Sequence, residues 1–419
     1  MPPAAPAKLS PLHRLWRTLP AERRRLLFAQ ATAALAPRPT RPAPLARGGI
    51  AVVGELSRAS GLGEAARLMR TALDGMGVPN WGLDVGDRLP GGTAGLRQIA
   101  PPPAGAPLLV HVNAPTLPWA LMRLPRGTVR GRRIIGYWAW ELPSVPATWR
   151  PALRLVHEIW VLSRFTGDAI ATLLPKGTDI ALRVVPIPIA VAPPRPSGMD
   201  RAAFGLPAEA VVVLVSFNLA SSFTRKNPLA AIAAFRQAFG GRADRILVLK
   251  AGNTEHFPAD LALLRAAAGD AANIRIETRT LPAADSHALT QCADIVMSLH
   301  RSEGFGLVPA EAMLLGRPVV ATGWSGNMEF MDEASAALVG YRLVPARDER
   351  GVFEAPGAVW AEPDIGEAAA HLARLADDAG AREALGRRGQ AMARARLGDG
   401  ALRAAVAALG LPMSSGAQG

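Results

Sequence analysis

The chain has 419 residues, 49% of them hydrophobic, which suits two domains with buried cores and argues against a disordered chain. Lys and Arg total 47 against 34 acidic residues, and the net charge of +13 favours anionic partners: nucleotide phosphates, anionic lipid or nucleic acid. A single cysteine, Cys292, excludes an internal disulfide or a cysteine-based zinc site and fits a reducing, cytoplasmic setting.

Residues 1–47 form a basic N-terminal segment rich in Pro, Arg and Ala, which includes Leu12 to Leu19 and Arg23 to Phe28. Two interpretations stay open: a basic amphipathic segment on an anionic membrane surface, or a loosely packed tail. No apolar run has the length of a membrane-spanning helix, and we find no export signal. We therefore expect a cytoplasmic protein, with peripheral contact at the inner face of the cell membrane as an option.

From Gly48 the pattern alternates between strands and helices. Glu64 to Met76 has helical spacing, and the predicted strands of this half are Gly49–Gly54, Leu108–Val112, Arg133–Tyr137, Ile159–Leu162 and Leu182–Val185. Such alternation is typical of a parallel sheet covered on both faces. We assign residues 48–190 to an N-terminal Rossmann-like domain.

A proline-rich break, residues 191–204, predicts a linker, and alternation then restarts in a C-terminal Rossmann-like domain of residues 205–395. Its predicted strands are Val211–Ser216, Arg245–Lys250, Ile274–Glu277, Asp294–Leu299 and Pro318–Ala321. Asn227 is the expected N-cap of a helix with Pro228 at its first position. Residues 365–407 are predicted to be helical, and residues 396–419 form a C-terminal helix and tail. In open parallel sheets ligands bind beyond the carboxyl ends of the strands, so we expect the site in the cleft between the halves.

A glycine-containing stretch follows the predicted strand that ends near Leu299. It runs from Glu303 to Glu311 as Glu-Gly-Phe-Gly-Leu-Val-Pro-Ala-Glu. We expect a short helix that begins at or near Pro309, with Glu303 in the loop and Glu311 in the first turn. The loop amides suit an anion, and the carboxylates suit the vicinal diol of a sugar. For any one of these residues, a capping acid, a solvated charge or an ordinary tight turn is an equally good explanation.

The seven-residue spacing of these acids resembles the EX7E motif of retaining GT-B glycosyltransferases of family GT4, and Gly323 to Glu329 resembles the family's next donor-side loop. In outline the resemblance extends from about residue 48 to about residue 395. It implies an α/β fold of the GT-B type, with two Rossmann-like domains whose parallel sheets face a central cleft. By the resemblance, residues 48–190 are the acceptor-side domain and residues 205–395 the nucleotide-sugar donor domain. It also implies that Glu303 holds the donor sugar and Glu311 the nucleotide ribose. The further donor-lining residues that it implies are Gly304, Phe305, Gly306, Leu307 and Asn327.

A second candidate element, Phe223 to Pro228, places Arg225 and Lys226 at a strand-to-helix turn. Two cations there suit a diphosphate, and fixed cations would stabilise the charge that grows on the leaving phosphate. By itself the turn is equally explained as an exposed basic loop. Similar family members have Lys at this turn, which carries the role to Lys226, expected across the cleft from the acids. Many also have an arginine about six residues earlier; Ala220 stands there, and Arg225 is the candidate substitute.

Three weaker elements complete the candidate site. Gly61 and Gly63 resemble the family's N-terminal glycine loop near the donor phosphates, although ordinary turn glycines explain them equally. Tyr137 to Glu141 places aromatics and an acid at a strand end, for sugar binding or simply for the core. Many GT4 enzymes have a cleft histidine near that segment; His111 is the candidate substitute, or else a packed core histidine.

The sequence thus predicts a retaining, metal-independent glycosyltransferase that moves a sugar from a nucleotide-diphosphate sugar to a saccharide or lipid-linked saccharide acceptor. The pathway expected is polysaccharide or glycolipid biosynthesis, with no cofactor besides the donor and no nucleic-acid partner. Two alternatives stay open: a sugar-nucleotide epimerase of the same architecture, and a non-catalytic basic protein that binds membrane or nucleic acid.

Overall fold

The computed structural model describes residues 18–58, 60–86, 101–353, 355 and 357–414. Its N-terminal half contains a six-stranded parallel sheet of strand order β2-β1-β3-β4-β5-β6. The elements of this half are α1 Ala21–Leu35, β1 Ile50–Gly54, α2 Gly61–Gly75, β2 Asn80–Asp84, β3 Leu108–His111, α3 Leu117–Arg123, β4 Ile134–Trp138, β5 Glu158–Val161, α4 Arg164–Ala171 and β6 Ala181–Val184.

The C-terminal half contains a second six-stranded parallel sheet, of order β12-β11-β10-β7-β8-β9, and an antiparallel hairpin of β13 and β14. Its elements are β7 Val211–Asn218, α5 Phe223–Lys226, α6 Pro228–Phe239, β8 Arg245–Gly252, α7 Pro258–Ala268, β9 Ile274–Glu277, α8 Ala283–Cys292, β10 Ile295–Ser298, α9 Leu307–Leu314, β11 Val319–Thr322, β12 Ala337–Val339, β13 Tyr341–Pro345, β14 Val359–Pro363, α10 Ile365–Asp377, α11 Ala379–Arg396 and α12 Gly400–Ala408.

The ten predicted strands are all present, shifted by at most a few residues at their ends. Central strands such as β1, β3 and β4 are buried along their whole length because helices cover both faces of each sheet, and that makes them continuous apolar runs. Sequence reasoning missed β12, which is only three residues long. It also missed two other elements: β2, which contains polar residues and a glycine, and the hairpin, whose β13 is largely exposed. Neither has the apolar pattern that signals a strand.

Three predicted helix starts need correction. The helix α2 begins at Gly61 rather than Glu64, because the Ser60 side chain accepts the Gly63 amide at 3.1 Å and caps it. Asn227 does precede Pro228, but it adopts a left-handed conformation (φ 53°) and its side chain caps no amide. The helix α9 begins at Leu307, which moves Glu311 from the predicted first turn to the fifth helical position.

The described part of the basic segment is a helix that packs on the protein. In α1, Ala29, Thr32 and Ala33 are buried, while Phe28 is 53% exposed with its ring 6.1 Å from that of Trp119. Leu12 to Arg17 lies outside the described residues. No helix within the described ranges is both long and apolar enough to cross a membrane.

The carboxyl ends of the two sheets face each other and are joined by direct contacts. The hydroxyl of Ser302 donates to the carbonyl of Glu141, and that of Ser163 donates to the carbonyl of Gly304 at 2.7 Å. The chain crosses between the halves at the proline-rich segment, where the Ala190 amide donates to the carbonyl of Leu397 at 2.9 Å. The edge predicted to carry the site is therefore the interface between the halves.

Candidate active site

The turn between β7 and α6 brings two cations onto one carboxylate. Arg225 and Lys226 lie on the four-residue helix α5, which starts from the side-chain cap of Ser222. The Arg225 guanidinium donates to one carboxylate oxygen of Glu303 at 3.1 Å, and the Lys226 ammonium donates to the other. Lys226 was expected across the cleft from Glu303; it instead lies in the same half and pairs with it.

Burial and charge act against each other in this cluster. Burial alone would raise the pKa of Glu303, but Lys226 and Arg225 outweigh it and hold that pKa at about 2. Burial lowers the pKa of Lys226, with Glu303 opposing the shift. For Arg225 burial also acts against the charged form, yet Glu303 prevails and raises the pKa. The three groups carry one net positive charge in a largely desolvated place, which is a suitable environment for an anion.

The backbone on either side of Glu303 is held by the following loop, Gly323 to Glu329. The amide of Glu303 donates to the Ser325 hydroxyl at 2.8 Å, and the amide of Gly326 donates to the carbonyl of Glu303 at 2.8 Å. A Cβ at position 326 would lie 2.0 Å from the carbonyl oxygen of Gly304, so only glycine fits there. The two loops are thus one packed unit.

The C-terminal glycine loop, residues 303–306, leads into α9 with free amide donors. Among the described residues, the amides of Gly304, Phe305 and Gly306 donate to no acceptor, nor do those of Leu307 and Val308 in the first turn of α9. Gly306 adopts φ 97°, a conformation that favours glycine. Buried amides are nearly always paired in proteins, so this group of donors indicates a place for an anionic or hydroxyl-rich ligand.

The Asn327 side chain is committed to holding the loop rather than directed into the cleft. Its Nδ2 donates to the carbonyl of Thr322 at 3.0 Å, and its Oδ1 lies 3.0 Å from Nε2 of His300. His300 is fully buried and its Nδ1 lies 3.0 Å from the hydroxyl of Ser298. Sequence reasoning missed this histidine, although its place one residue after an apolar strand was a usable signal.

The two acids of the motif have different surroundings. Glu303 is 6% exposed, whereas the Glu311 side chain is 25% exposed and faces His287 of α8, with 3.9 Å between Oε1 and Nε2. The carboxylate of Glu311 raises the pKa of His287. Of these two acids, only Glu303 pairs with Arg225 and Lys226 of the turn at residues 222–227, which we call the cation turn.

The N-terminal glycine loop, Ser60 to Gly63, has one amide paired within the loop. Ser60 accepts the Gly63 amide and donates to Glu55 at 2.8 Å. A Cβ on Gly63 would lie 2.5 Å from the Glu55 carbonyl oxygen, which explains this glycine by packing. Gly61 faces Leu307 at the start of α9, with 3.9 Å between an added Cβ and the Leu307 methyl.

The aromatic segment after β4 belongs to the core rather than to an open sugar platform. Tyr137 and Trp138 are fully buried, and Trp140 is 4% exposed with its indole N–H donating to the carbonyl of Ser144. Glu141 is partly exposed; burial raises its pKa, opposed by Arg225 and reinforced by Glu303. The charges of Arg225 and Glu303 in the C-terminal half therefore affect the protonation of this carboxyl in the N-terminal half.

His111 is a buried histidine at the end of β3. Its ring stacks on Tyr137 with 4.3 Å between centroids, and within the described chain neither ring nitrogen has a hydrogen-bond partner. Burial lowers its pKa to about 3, so the imidazole is neutral.

Within the described ranges, no group of three or more His, Cys, Asp or Glu side chains is placed to hold a metal ion. The charged centre of the site is instead the pair of protein cations on Glu303.

Residues 213–361, which contain the cation turn and the C-terminal glycine loop, match the family model of the glycosyl transferases group 1. In this stretch the chain is similar to that family. The resemblance inferred from Glu303 to Glu311 is thereby confirmed for the C-terminal half.

Similarity to a curated relative covers a limited stretch. The chain is 31% identical over 170 residues to D-inositol 3-phosphate glycosyltransferase of Saccharomonospora viridis, a match that takes in 39% of this chain. It spans 38% of the length of that relative.

Solved structures resemble nearly the whole chain. HepE of Anabaena, solved with UDP and glucose, has a TM-score of 0.58 at 15% identity over 86% of this chain and 99% of its own. Sucrose-phosphate synthase of Thermosynechococcus elongatus has a TM-score of 0.59 at 17% identity over 87% and 98%. A glycosyltransferase from Rickettsia africae has a TM-score of 0.60 at 11% identity over 87% and 98%. With the two facing parallel sheets, these likenesses confirm the predicted GT-B fold.

Proposed function

We propose that the chain is a retaining glycosyltransferase of family GT4 that transfers a sugar from a nucleotide-diphosphate sugar to an acceptor hydroxyl. The observation that carries the proposal is the meeting of three features at one place. The buried Glu303 lies between Arg225 and Lys226, and the adjoining loop and helix start offer unpaired amides. A diphosphate suits the cations and amides, and a sugar ring suits the carboxylate.

The proposed reaction breaks the bond between the anomeric carbon and the β-phosphate oxygen. The acceptor oxygen forms its bond to the anomeric carbon from the same face, and its proton passes to the departing phosphate. Arg225 and Lys226 stabilise the charge that grows on that phosphate. Glu303, with its pKa held at about 2, stays ionised and accepts hydrogen bonds from donor-sugar hydroxyls rather than acting as a general acid.

In the proposed scheme, contacts between the protein and the donor replace contacts that exist within the free protein. Glu303 and the two cations pair with one another in the free protein, so none of these three charges is buried without an opposite charge beside it. When the donor binds, Lys226 shifts its ammonium towards the phosphate, while Glu303 gains sugar hydroxyls. We assign Glu311, at 25% exposure and nearer α8, to the ribose.

The decisive measurement is release of nucleoside diphosphate from Glu303→Ala and Lys226→Ala, with the exposed Lys176→Ala as matched control. Both site variants should lose at least about a hundredfold in turnover, while the control stays near wild type. Near-normal turnover in both site variants would sink the assignment. A thermal-shift screen against UDP-, GDP- and dTDP-sugars identifies the donor first.

We further propose a saccharide or lipid-linked saccharide acceptor and peripheral contact with anionic membrane. The support is the surface of α1, where Arg23, Arg24 and Arg25 are exposed or partly exposed beside the exposed Leu27 and Phe28. Flotation with phosphatidylglycerol vesicles, compared with phosphatidylcholine vesicles, tests this contact. Equal recovery with both lipids, or with neither, would contradict it.

A further inference from the structure

The cation turn, residues 222–227, is strained at both ends. Ser222 has φ 71° and Asn227 has φ 53°, and both are non-glycine residues in the left-handed region. Such conformations persist only when surrounding contacts fix them, and they concentrate at functional sites. Arg225 and Lys226 lie between the two strained residues, so whatever holds the turn also sets where their side chains begin.

The contact that holds the first strained residue comes from far along the chain. The hairpin loop, residues 346–358, joins β13 to β14 and carries Asp348, which is 2% exposed. Its carboxylate accepts the Ser222 hydroxyl at 2.9 Å and the amides of Val352 and Phe353 at 2.9 and 3.3 Å. The Ser222 oxygen in turn accepts the Arg225 amide at 3.3 Å.

The same loop contacts the cation turn a second time, through an aromatic ring. The Phe353 ring lies against the Arg225 guanidinium, 5.3 Å from its central carbon, and 5.6 Å from the ring of Trp140 in the other half. Arg350 fixes the loop to the body of the domain by donating to the carbonyl of Leu219 and pairing with Asp260. The loop is therefore anchored well enough to position what it touches.

We propose that Asp348 is a positioning residue that fixes the Arg225–Lys226 turn, through Ser222, for the diphosphate of the donor. This inference rests on the function proposed above. The Asp348 carboxylate accepts hydrogen bonds from the Ser222 hydroxyl and from the amides of Val352 and Phe353. It therefore acts on the cation turn rather than on the donor. A carboxylate bonded to the cap of the turn orients Arg225 and Lys226 before the ligand arrives, which lowers the ordering cost of binding.

Pyrophosphate is the probe, because it presents a diphosphate whatever the base and the sugar of the true donor. Its affinity is measured by calorimetry on the full chain carrying Asp348→Asn, Ser222→Gly, Lys226→Ala or Asp348→Asn with Lys226→Ala. Ser222→Gly tolerates the positive φ but removes the hydroxyl, which separates the hydrogen bond from backbone strain. Asp332→Asn is the matched control, because Asp332 also accepts a serine hydroxyl and two amides but lies outside the cation turn.

Asp348→Asn and Ser222→Gly should each weaken pyrophosphate binding about tenfold, as expected when a charge-assisted hydrogen bond that orients the turn is lost. Asp332→Asn should stay within about twofold of wild type. In the Lys226→Ala background, Asp348→Asn should weaken binding by less than the tenfold expected in the wild-type background, because one of the two cations that Asp348 positions is already absent. A role in stability alone would lower the unfolding temperature of Asp348→Asn without this coupling.

The outcomes separate this inference from the proposed function. Wild-type affinity in Asp348→Asn and Ser222→Gly, with binding lost in Lys226→Ala, would overturn the role of Asp348 and leave the transferase proposal intact. Equal pyrophosphate affinity in wild type and Lys226→Ala would overturn both. If Asp348→Asn does not fold, Ser222→Gly alone decides between these results.

Discussion

The two glycine loops have similar sequences but differ in how their amides are paired and in the charges beside them. Each follows a parallel strand and leads into a helix at the interface between the halves. In the N-terminal glycine loop the Gly63 amide donates to Ser60, while the amides of Gly61 and Leu62 donate to no acceptor among the described residues. In the C-terminal glycine loop, the amides of residues 304–306 donate to no acceptor among the described residues. The Glu303 carboxylate of this loop is paired with Arg225 and Lys226 from another segment.

The difference teaches that glycine spacing does not by itself identify a ligand loop. In the N-terminal glycine loop, packing accounts for Gly63, because its Cα lies against the Glu55 and Arg58 carbonyls. In the C-terminal glycine loop, the amides of residues 304–306 donate to no acceptor among the described residues, and the Glu303 carboxylate is paired with two cations at the same place. The donor-binding role of Gly61 and Gly63 stays a prediction, whereas the proposal for Glu303 has physical support.

The largest effect should come from Glu303→Gln, which keeps the shape and removes the charge of the C-terminal glycine loop. We expect kcat to fall about a thousandfold, because the donor sugar loses a charged acceptor and the charges of Arg225 and Lys226 are no longer balanced. Glu311→Gln, the other acid of the motif, is the control and should mainly raise the donor KM, by about tenfold. Steady-state kinetics decide it, and equal losses in the two variants would contradict the different roles given to these acids.

The second effect concerns packing in the N-terminal glycine loop. In Gly63→Ala the added Cβ would lie 2.5 Å from the Glu55 carbonyl oxygen and 2.8 Å from that of Arg58. We expect the free energy of unfolding to fall by about 1–3 kcal/mol, as for other overpacked sites. Urea unfolding monitored by tryptophan fluorescence measures it. Undiminished stability would mean that this loop is as open as its C-terminal counterpart.

The two sides of the interface should also lose stability in different pH ranges. The native pKa of His111, about 3, lies below its ordinary 6.5, so the unfolded chain takes up a proton first and stability falls as pH drops from 6.5 towards 3. By pH 5 the loss is about 2 kcal/mol. The Glu303 contribution is complete above pH 4.5 and is lost as pH falls towards 2.

Thermal unfolding of His111→Gln at pH 7.5 and pH 5.0 tests this separation. The drop in unfolding temperature between the two pH values should shrink but not vanish, because burial also lowers the pKa of His157 and His300. The exposed His256→Gln serves as control and should leave the drop unchanged. An undiminished drop in His111→Gln would show that His111 is not the buried neutral group inferred here.

The smallest effect is expected for Gly61→Ala, where an added Cβ meets only the Leu307 methyl at 3.9 Å. Stability should change by less than about 0.5 kcal/mol, with donor KM unaltered. A tenfold rise in donor KM with unchanged stability would break the comparison, because it would place the donor directly against the N-terminal glycine loop.

The predictable parts of the fold were those in which local pattern and burial agree. Parallel strands are buried on both faces, so their apolar runs and the turns between them were visible in the sequence. The strand β2 and the hairpin β13–β14 lack such runs and depend on contacts made after folding. For that reason the hairpin loop, which carries Asp348, was invisible to sequence reasoning.

Within the site, Glu303, Arg225 and Lys226 were identified from residue type and spacing, but their pairing was not. Spacing along the chain cannot tell whether a cation lies across a cleft or on the same side, because that depends on which strands are neighbours. Here β10 is adjacent to β7, so the two turns that follow these strands meet. The commitment of Asn327 to His300 likewise depends on a tertiary contact.

The paired crossings of the chain have a consequence for motion. The segment leaving the first half and the returning chain lie side by side where the Ala190 amide donates to the Leu397 carbonyl, and further along the returning chain the Ser414 amide donates to the Met76 carbonyl of the first half. Two adjacent chain segments that connect the halves act as a hinge with a single axis. We therefore expect the halves to open and close by rotation about the axis near Ala190 and Leu397, rather than to rotate freely against each other. Removing residues 397–414 would leave one connecting segment, and the halves would then no longer be restricted to rotation about one axis.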